Sequence, residues 1–116
     1  MDKGGQVNVN KVFLGGNLTS DIELRYTPGG TAVGNTGIAI NRRYKSGDEV
    51  KEETTFVNLV IWGKLAETMA EHLHKGSGVF IEGRIQTRSW EKDGKKNYAT
   101  EVVVDEFQFA DKKEGK

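Results

Sequence analysis

Between Thr54 and Gly63 the chain reads TTFVNLVIWG, and its side chains sort onto two unlike faces. Val57, Leu59 and Ile61 fall on one side of an extended chain and are all aliphatic; Phe56, Asn58, Val60 and Trp62 fall on the other, where two large rings flank an amide. β-Branched and aromatic residues suit a pleated surface, so the stretch is predicted as a strand with an aliphatic inside. Rings on its partly polar outside either pack against a partner or offer stacking surfaces.

The same alternation, read along the rest of the chain, predicts the neighbouring elements. Residues 7–18 suit a strand, with Val12 and Leu14 on one face and Gly15-Gly16 marking a bend or a close backbone approach. Residues 21–26 read as a second short strand. In Thr27-Pro28-Gly29-Gly30 the proline at i+1 pre-sets φ, and Gly29 at i+2 is expected at positive φ. Over 32–44 the alternation blurs: Ile38, Ile40, Arg42 and Tyr44 share one face and Ala39, Asn41 and Arg43 the other, which a bulge or strong coiling would reconcile. Residues 44–53 are charged around the turn residues Ser46-Gly47-Asp48 and read as the tip of a long exposed hairpin.

After Gly63 the period changes. Leu65, Met69 and Leu73 recur at i, i+4 and i+8 with Ala66 and Ala70 beside them, predicting a helix over 64–74 that ends on Gly76 as a C′ glycine, with Lys75 near the negative end of the dipole. A strand follows over 79–90, with Val79, Ile81, Gly83 and Ile85 facing in and Phe80, Glu82, Arg84, Gln86, Arg88 and Trp90 facing out. Asp93-Gly94 makes a hairpin turn, and 97–105 returns as a strand with Phe107 and Phe109 as its extension. With 21–26 counted into the first strand, the order is three strands, one helix, two strands. That is the plan of an all-β protein with one helix, the OB-fold, a five-stranded Greek-key barrel. The domain is expected over 7–110, between a flexible N-terminus (1–6) and the start of a polar C-terminal tail (111–116).

Composition narrows the chemistry. A chain of 116 residues supports one core. Lys and Arg number 17 and so do Asp and Glu, so any basic patch must be local. The absence of cysteine excludes a disulfide framework and a thiolate metal site. No apolar run approaches the roughly 18 residues of a membrane span, and the N-terminus lacks a signal-peptide core; the expected location is the cytoplasm.

Catalysis finds no support. His72 and His74 point about 200° apart on a helix and make no chelating pair. Glu52-Glu53 and Asp48-Glu49 read as a solvated loop tip rather than an acid/base pair. Gly29-Gly30 and Gly76-Ser77-Gly78 are not followed by the Lys-Ser/Thr of a phosphate loop. No enzyme, metal or cofactor is predicted. Binding is better supported: Tyr44 sits between Arg43 and Lys45, Trp62 precedes Lys64, and Trp90 lies between Arg88 and Lys92. Rings that stack bases beside cations that follow phosphates suit single-stranded nucleic acid, each stacked base contributing roughly 1–3 kcal/mol. The structural alternative, rings buried in a core or between subunits, remains open on pattern alone.

Several stretches resemble the bacterial single-stranded DNA-binding protein family: Asn10-Lys11-Val12-Phe13-Leu14-Gly15-Gly16-Asn17-Leu18, Leu24-Arg25-Tyr26-Thr27-Pro28-Gly29-Gly30, Val60-Ile61-Trp62-Gly63-Lys64-Leu65-Ala66-Glu67, Lys75-Gly76-Ser77, Val79-Phe80-Ile81-Glu82-Gly83-Arg84, Thr87-Arg88-Ser89-Trp90 and Thr100-Glu101-Val102-Val103-Val104. They run in family order over nearly the whole chain. The resemblance implies an OB-fold that wraps single-stranded DNA on aromatic platforms, at Tyr44, Phe56, Trp62 and Trp90. Tyr44 and Phe56 stand where well-studied members carry Trp, and Trp62 where they carry Phe. It further implies Lys11, Lys64, Lys75 and Arg88 along the DNA path, Arg42, Arg43, Lys45 and Lys51 on a DNA-gripping hairpin, and Arg84 on the binding strand.

A homotetramer is implied as well, with Phe80 at a subunit contact and Val57 in place of a histidine that supports the tetramer elsewhere. Carboxylates such as Asp21, Glu23, Glu67 and Glu71 are expected to face away from the groove. Family members continue into a Gly/Pro/Gln-rich linker and an acidic tip that recruits replication and repair proteins; here the sequence ends at Lys112-Lys113-Glu114-Gly115-Lys116, as after trimming or in a tailless phage or plasmid relative. The function implied is sequence-independent protection of single strands in DNA replication, recombination and repair. The alternatives are a replication-restart accessory protein that meets partners and DNA, an OB-fold nuclease, for which no carboxylate cluster is visible, and a protein-interaction module with its rings buried.

Overall fold

The aliphatic face over 57–61 is the inside of a closed barrel: Leu59 and Ile61 are 1% and 0% exposed, while Phe56 and Trp62 stay exposed on the far side. The computed structural model describes residues 6–110. Its elements are β1 (Val12–Leu18), β2 (Glu23–Tyr26), β3 (Ala32–Ser46), β4 (Glu49–Trp62), α1 (Gly63–His72), β5 (Gly78–Lys92) and β6 (Lys95–Phe109). The strands run β1-β5-β6-β4-β3-β2, and β1 also pairs with β3 at Asn17–Ala39 and Leu18–Ile38. Five strands therefore close on themselves as an OB-fold barrel. β4 and β6 run parallel at Leu59–Val102 and Val60–Val103, the one parallel pairing among the described residues. The segment expected as part of the first strand is a separate one, because Glu23–Tyr26 pairs only with β3, outside the barrel.

Leu18, Ile38, Leu59, Ile61, Val79, Ile81, Val102 and Val104 fill the interior, and α1 presents Ala66 and Met69, with Leu73 just beyond it, to the same cluster. A fully buried side chain of this kind contributes roughly 1.5–3 kcal/mol. Among the described residues no helix is long and apolar enough to cross a membrane.

Three expectations are corrected by where strands gain and lose neighbours. β1 starts at Val12; Val7 and Val9 are 86% and 82% exposed and join no strand. Ile85, expected inside, is half exposed, because β1 stops pairing with β5 at Val12–Gly83 and leaves the rest of β5 with β6 alone. The blurred alternation over 32–44 is not a bulge: the β3–β4 register is unbroken from Val33–Trp62 to Ser46–Glu49. Residues 41–56 are all exposed, so both faces of this ribbon leave the barrel as a free arm. The bulge lies instead on β6. Glu82 faces Glu106 and Gly83 faces Val104, so Asp105 is the extra residue. That insertion switches the inward positions from Val102 and Val104 to Phe107.

The turns are tied down by short backbone bonds. Gly30 N–H donates to Thr27 O, closing the proline turn, but the positive φ falls on Gly30 (90°) rather than Gly29. α1 ends at His72, with Leu73 extended at its C-cap, so Gly76 is not a C′ residue. Its φ of 92° serves the turn closed by Ser77 N–H donating to His74 O. Asp93 and Gly94, both at positive φ, form the two-residue hairpin turn that joins β5 to β6. The expected frayed end lies outside the described residues except for Gln6, which is exposed, and the expected tail over 111–116 lies outside them entirely.

Candidate nucleic-acid interface

The outward row of β5 runs Phe80, Glu82, Arg84, Gln86, Arg88, Trp90, from an apolar end to a ring-bearing one. Its register with β6 sets Arg84 opposite Val103, Gln86 opposite Glu101, Arg88 opposite Ala99 and Trp90 opposite Asn97. Val103 in turn faces Val60 of β4, which faces Asn35 of β3, while Trp62 faces Val33. Trp62 and Trp90, 46% and 40% exposed, therefore stand on one continuous outer face, Trp62 at the barrel and Trp90 on the β5–β6 ribbon that runs on past it. A groove of about 470 Å³ runs along it, lined by Trp62, Val60, Gln86, Arg88 and Glu101, with the turn after β2 as its wall. Val60 lies on the ring side as the sequence implies, yet is buried at 6% exposure as part of the groove floor.

Charge in this groove is arranged by one buried carboxylate. Glu101 is 4% exposed. Arg88 meets it fork to fork, Nε donating to Oε2 at 3.3 Å and a terminal nitrogen to Oε1 at 3.4 Å, and Gln86 Nε2 donates to Oε2 at 3.2 Å. The Arg88 guanidinium also lies 4.8 Å from the centroid of the Trp90 ring. The amide nitrogen of Asn35, in the groove wall, is buried with no hydrogen-bond partner.

Half of the other expected cations carry a carboxylate. Lys11 Nζ lies 2.8 Å from Glu82, and that hydrogen bond and charge raise the Lys11 pKa above its ordinary value. Arg84 meets the bulged Asp105 at 2.6 Å. On the arm, Arg42 pairs with Glu53 at 3.3 Å and lies 5.1 Å over the Tyr44 ring, and Arg43 pairs with Glu52 at 3.6 Å. These pairs are exposed and hold weakly. Among the described residues Lys45, Lys51, Lys64 and Lys75 have no carboxylate partner. Lys64 sits in the first turn of α1, where no acidic residue offsets the positive end of the helix dipole. Lys75 is anchored through its backbone N–H, which donates to Asp21 Oδ1 at 2.8 Å.

Of the four rings singled out from sequence, three share a face and one does not. Phe56 is opposite Ala39 on the ladder face that carries Trp62. Tyr44 is opposite Lys51, on the other face of the arm. The groove contains residues to which sequence reasoning gave no site role: Tyr26, Asn35, Gln86 and Glu101. Gln86 was legible as outward-facing beside Arg88; Glu101 was legible only through its register with Gln86. None of Asp21, Glu23, Glu67 and Glu71 lines the groove, although Glu67 accepts the hydroxyl of the wall residue Tyr26; the carboxylate that does line it is Glu101. At the opposite end of the β5 row, Phe13 and Phe80 are 70% and 57% exposed beside a second cavity of about 230 Å³. Among the described residues no group of three or more potential ligands could hold a metal ion.

Residues 9–110 match the model of the single-strand binding protein family. The single-stranded DNA-binding protein of Oceanobacillus iheyensis is 50% identical over 106 residues, which are 90% of this chain and 65% of that protein. Single-stranded DNA-binding protein 3 of Clostridium acetobutylicum is 48% identical over 103 residues, covering 87% of this chain and 70% of its own length. The chain thus spans about two thirds of these relatives. The crystal structure of a deletion mutant of the Thermus aquaticus single-stranded DNA binding protein matches with a TM-score of 0.78 at 33% identity, over 89% of this chain and 51% of that one. A Plasmodium falciparum SSB solved with ssDNA matches with a TM-score of 0.82 at 22% identity, over 92% and 99%, a likeness of fold. With the match extending over all six strands and the helix, the chain belongs to the single-strand binding protein family.

Proposed function

We propose that the chain binds single-stranded DNA without sequence preference and shields it during replication, recombination and repair, with no catalytic step and no cofactor. The observation that carries this reading is the pair of partly exposed indoles on one outer face, Trp62 lining the groove and Trp90 on the β5–β6 ribbon beyond it. Rings on strands keep their orientation before the ligand arrives, and each presents a π-face to any base. Phe56 continues that face onto the arm, and Tyr44 stacks bases from the arm's other side. Lys45, Lys51, Lys64 and Lys75 take phosphates directly. Lys11, Arg42, Arg43 and Arg84 exchange an exposed carboxylate for a phosphate as the strand is laid down. The relatives named above as single-stranded DNA-binding proteins support the same ligand.

The protein assembles as a homotetramer, for which the exposed Phe13 and Phe80 supply an apolar contact away from the groove. It works in the cytoplasm, and it meets replication and repair proteins through a C-terminal tail of the family's kind, which this sequence does not include. Tryptophan fluorescence during titration with oligo(dT), at low and high salt, tests the reading. Strong quenching that saturates at a fixed number of nucleotides per protomer is expected. Emission that stays unquenched and blue-shifted at every DNA concentration would place both indoles in a protein interface and favour an interaction module instead.

A further inference from the structure

Arg88 occupies a position that its sequence context does not explain. A cation beside Trp90 on an outward strand is expected to meet phosphate. Instead its guanidinium is held on two sides: by the carboxylate of Glu101, whose side chain is 5% exposed, and by the face of the Trp90 ring. A carboxylate buried to that degree must be compensated where it sits. Arg88 and Gln86 are its hydrogen-bond partners. Two of the three guanidinium nitrogens are thus engaged before any ligand arrives, although the Arg88 side chain is 53% exposed.

We infer that Glu101 is a positioning residue that stations Arg88 as the backing of the Trp90 stacking platform and withholds it from phosphate. The inference rests on the single-strand-binding reading and deepens it. With one ring face covered by the guanidinium, Trp90 offers the other to a single base. The cation strengthens the platform through the ring rather than through the DNA backbone. Because the pair forms within the folded chain, base stacking on Trp90 requires no further ordering of Arg88. Glu101 for its part adds no net negative charge to the groove, since Arg88 cancels it.

The test uses the full chain with Trp62→Phe, which keeps a ring in place and leaves Trp90 as the sole indole, and adds Glu101→Gln or Arg88→Lys. Without DNA, Glu101→Gln changes the Trp90 emission, because the guanidinium is no longer clamped. With oligo(dT), the freed Arg88 acquires a phosphate, and the slope of log K against log salt steepens by about 0.7 per protomer. Arg88→Lys keeps the charge on Glu101 and removes the planar stack; Trp90 emission changes, quenching by DNA weakens, and the slope stays that of the parent. Should Glu101→Gln fail to fold, as judged by circular dichroism, Arg88→Lys decides alone. Parental emission and quenching in Arg88→Lys, or a parental slope in folded Glu101→Gln, overturns the inference. If the parent does not bind oligo(dT), the single-strand-binding reading fails and the inference with it, while the emission change without DNA still reports whether Glu101 clamps Arg88.

Discussion

The hydroxyl of Tyr26 donates to Oε2 of Glu67 at 2.8 Å, joining β2 to α1 at the wall of the groove. Glu67 accepts this hydrogen bond and the phenol keeps its proton, so the bond, with some desolvation and the carboxylate charge, raises the Tyr26 pKa above its ordinary value of 10.0. A raised pKa means that the folded state favours the protonated phenol. The contribution is complete below the ordinary value and is lost as pH rises through the higher folded one. Lys11, raised by Glu82, follows the same sign. Ultraviolet titration of the tyrosinate band should show a late-ionising component from Tyr26, which Glu67→Ala should move to lower pH. Equal tyrosine titration in the two proteins would mean that the bond does not persist in solution.

Trp62→Ala and Trp90→Ala separate binding from folding. Both indoles are close to half exposed and neither belongs to the buried core cluster. Each substitution should weaken oligo(dT) binding by roughly 1–3 kcal/mol, the worth of one stacked base. Denaturant unfolding should change by less than the roughly 3–5 kcal/mol of a core Trp→Ala. A loss in that core range would mean that the ring supports the barrel and not the ligand.

Lys64 gives the cleanest electrostatic test, since it has no carboxylate partner among the described residues and lies at the positive end of α1. Lys64→Gln should flatten the slope of log K against log salt by about 0.7 per protomer, the amount expected for one lost phosphate contact on a single strand. Oligo(dT) titrations at several salt concentrations supply the slope. An unchanged slope would take Lys64 off the DNA path.

The strand faces were legible because a period of two is a local signal: in β4 Val57, Leu59 and Ile61 turn inward and Asn58 and Trp62 outward, with Val60 buried on the outer side by the groove. Where a strand loses a neighbour is not local. Ile85 continues the inward row of β5 in sequence but has passed the end of β1, so the water reaches it. The bulge was hidden because Asp105 and Glu106 are both acidic and either could have been the extra residue. Glu101 was hidden for a different reason: one carboxylate ahead of three valines reads as a solvent position until its cross-strand partner is known. A usable signal existed. The Asp93-Gly94 turn fixes the β5–β6 register, and counting back from it sets Glu101 opposite Gln86, one position along the outward row from Arg88.

Gly83 marks the point where β5 passes the bulge, and a side chain there has nowhere to go. A Cβ added to it would overlap the Val103 carbonyl oxygen and crowd the Val102 side chain. The first of these is backbone within a ladder, so relief requires the β5–β6 pairing itself to shift. Gly83→Ala should therefore lose at least the roughly 1–3 kcal/mol of an overpacked core, measured by denaturant unfolding. Gly15→Ala is the matched comparison. Its Cβ would meet the Phe80 ring at 2.8 Å, but that ring is 57% exposed and can turn away. Gly15→Ala should fall well below Gly83→Ala in cost, and what it does perturb is the Phe13–Phe80 patch, read as a change in the assembly state by light scattering. Equal losses from the two substitutions would mean that the β6 backbone yields at the bulge as easily as an exposed ring does, and that the bulge does not hold Val103 and Asp105 in register beneath the groove.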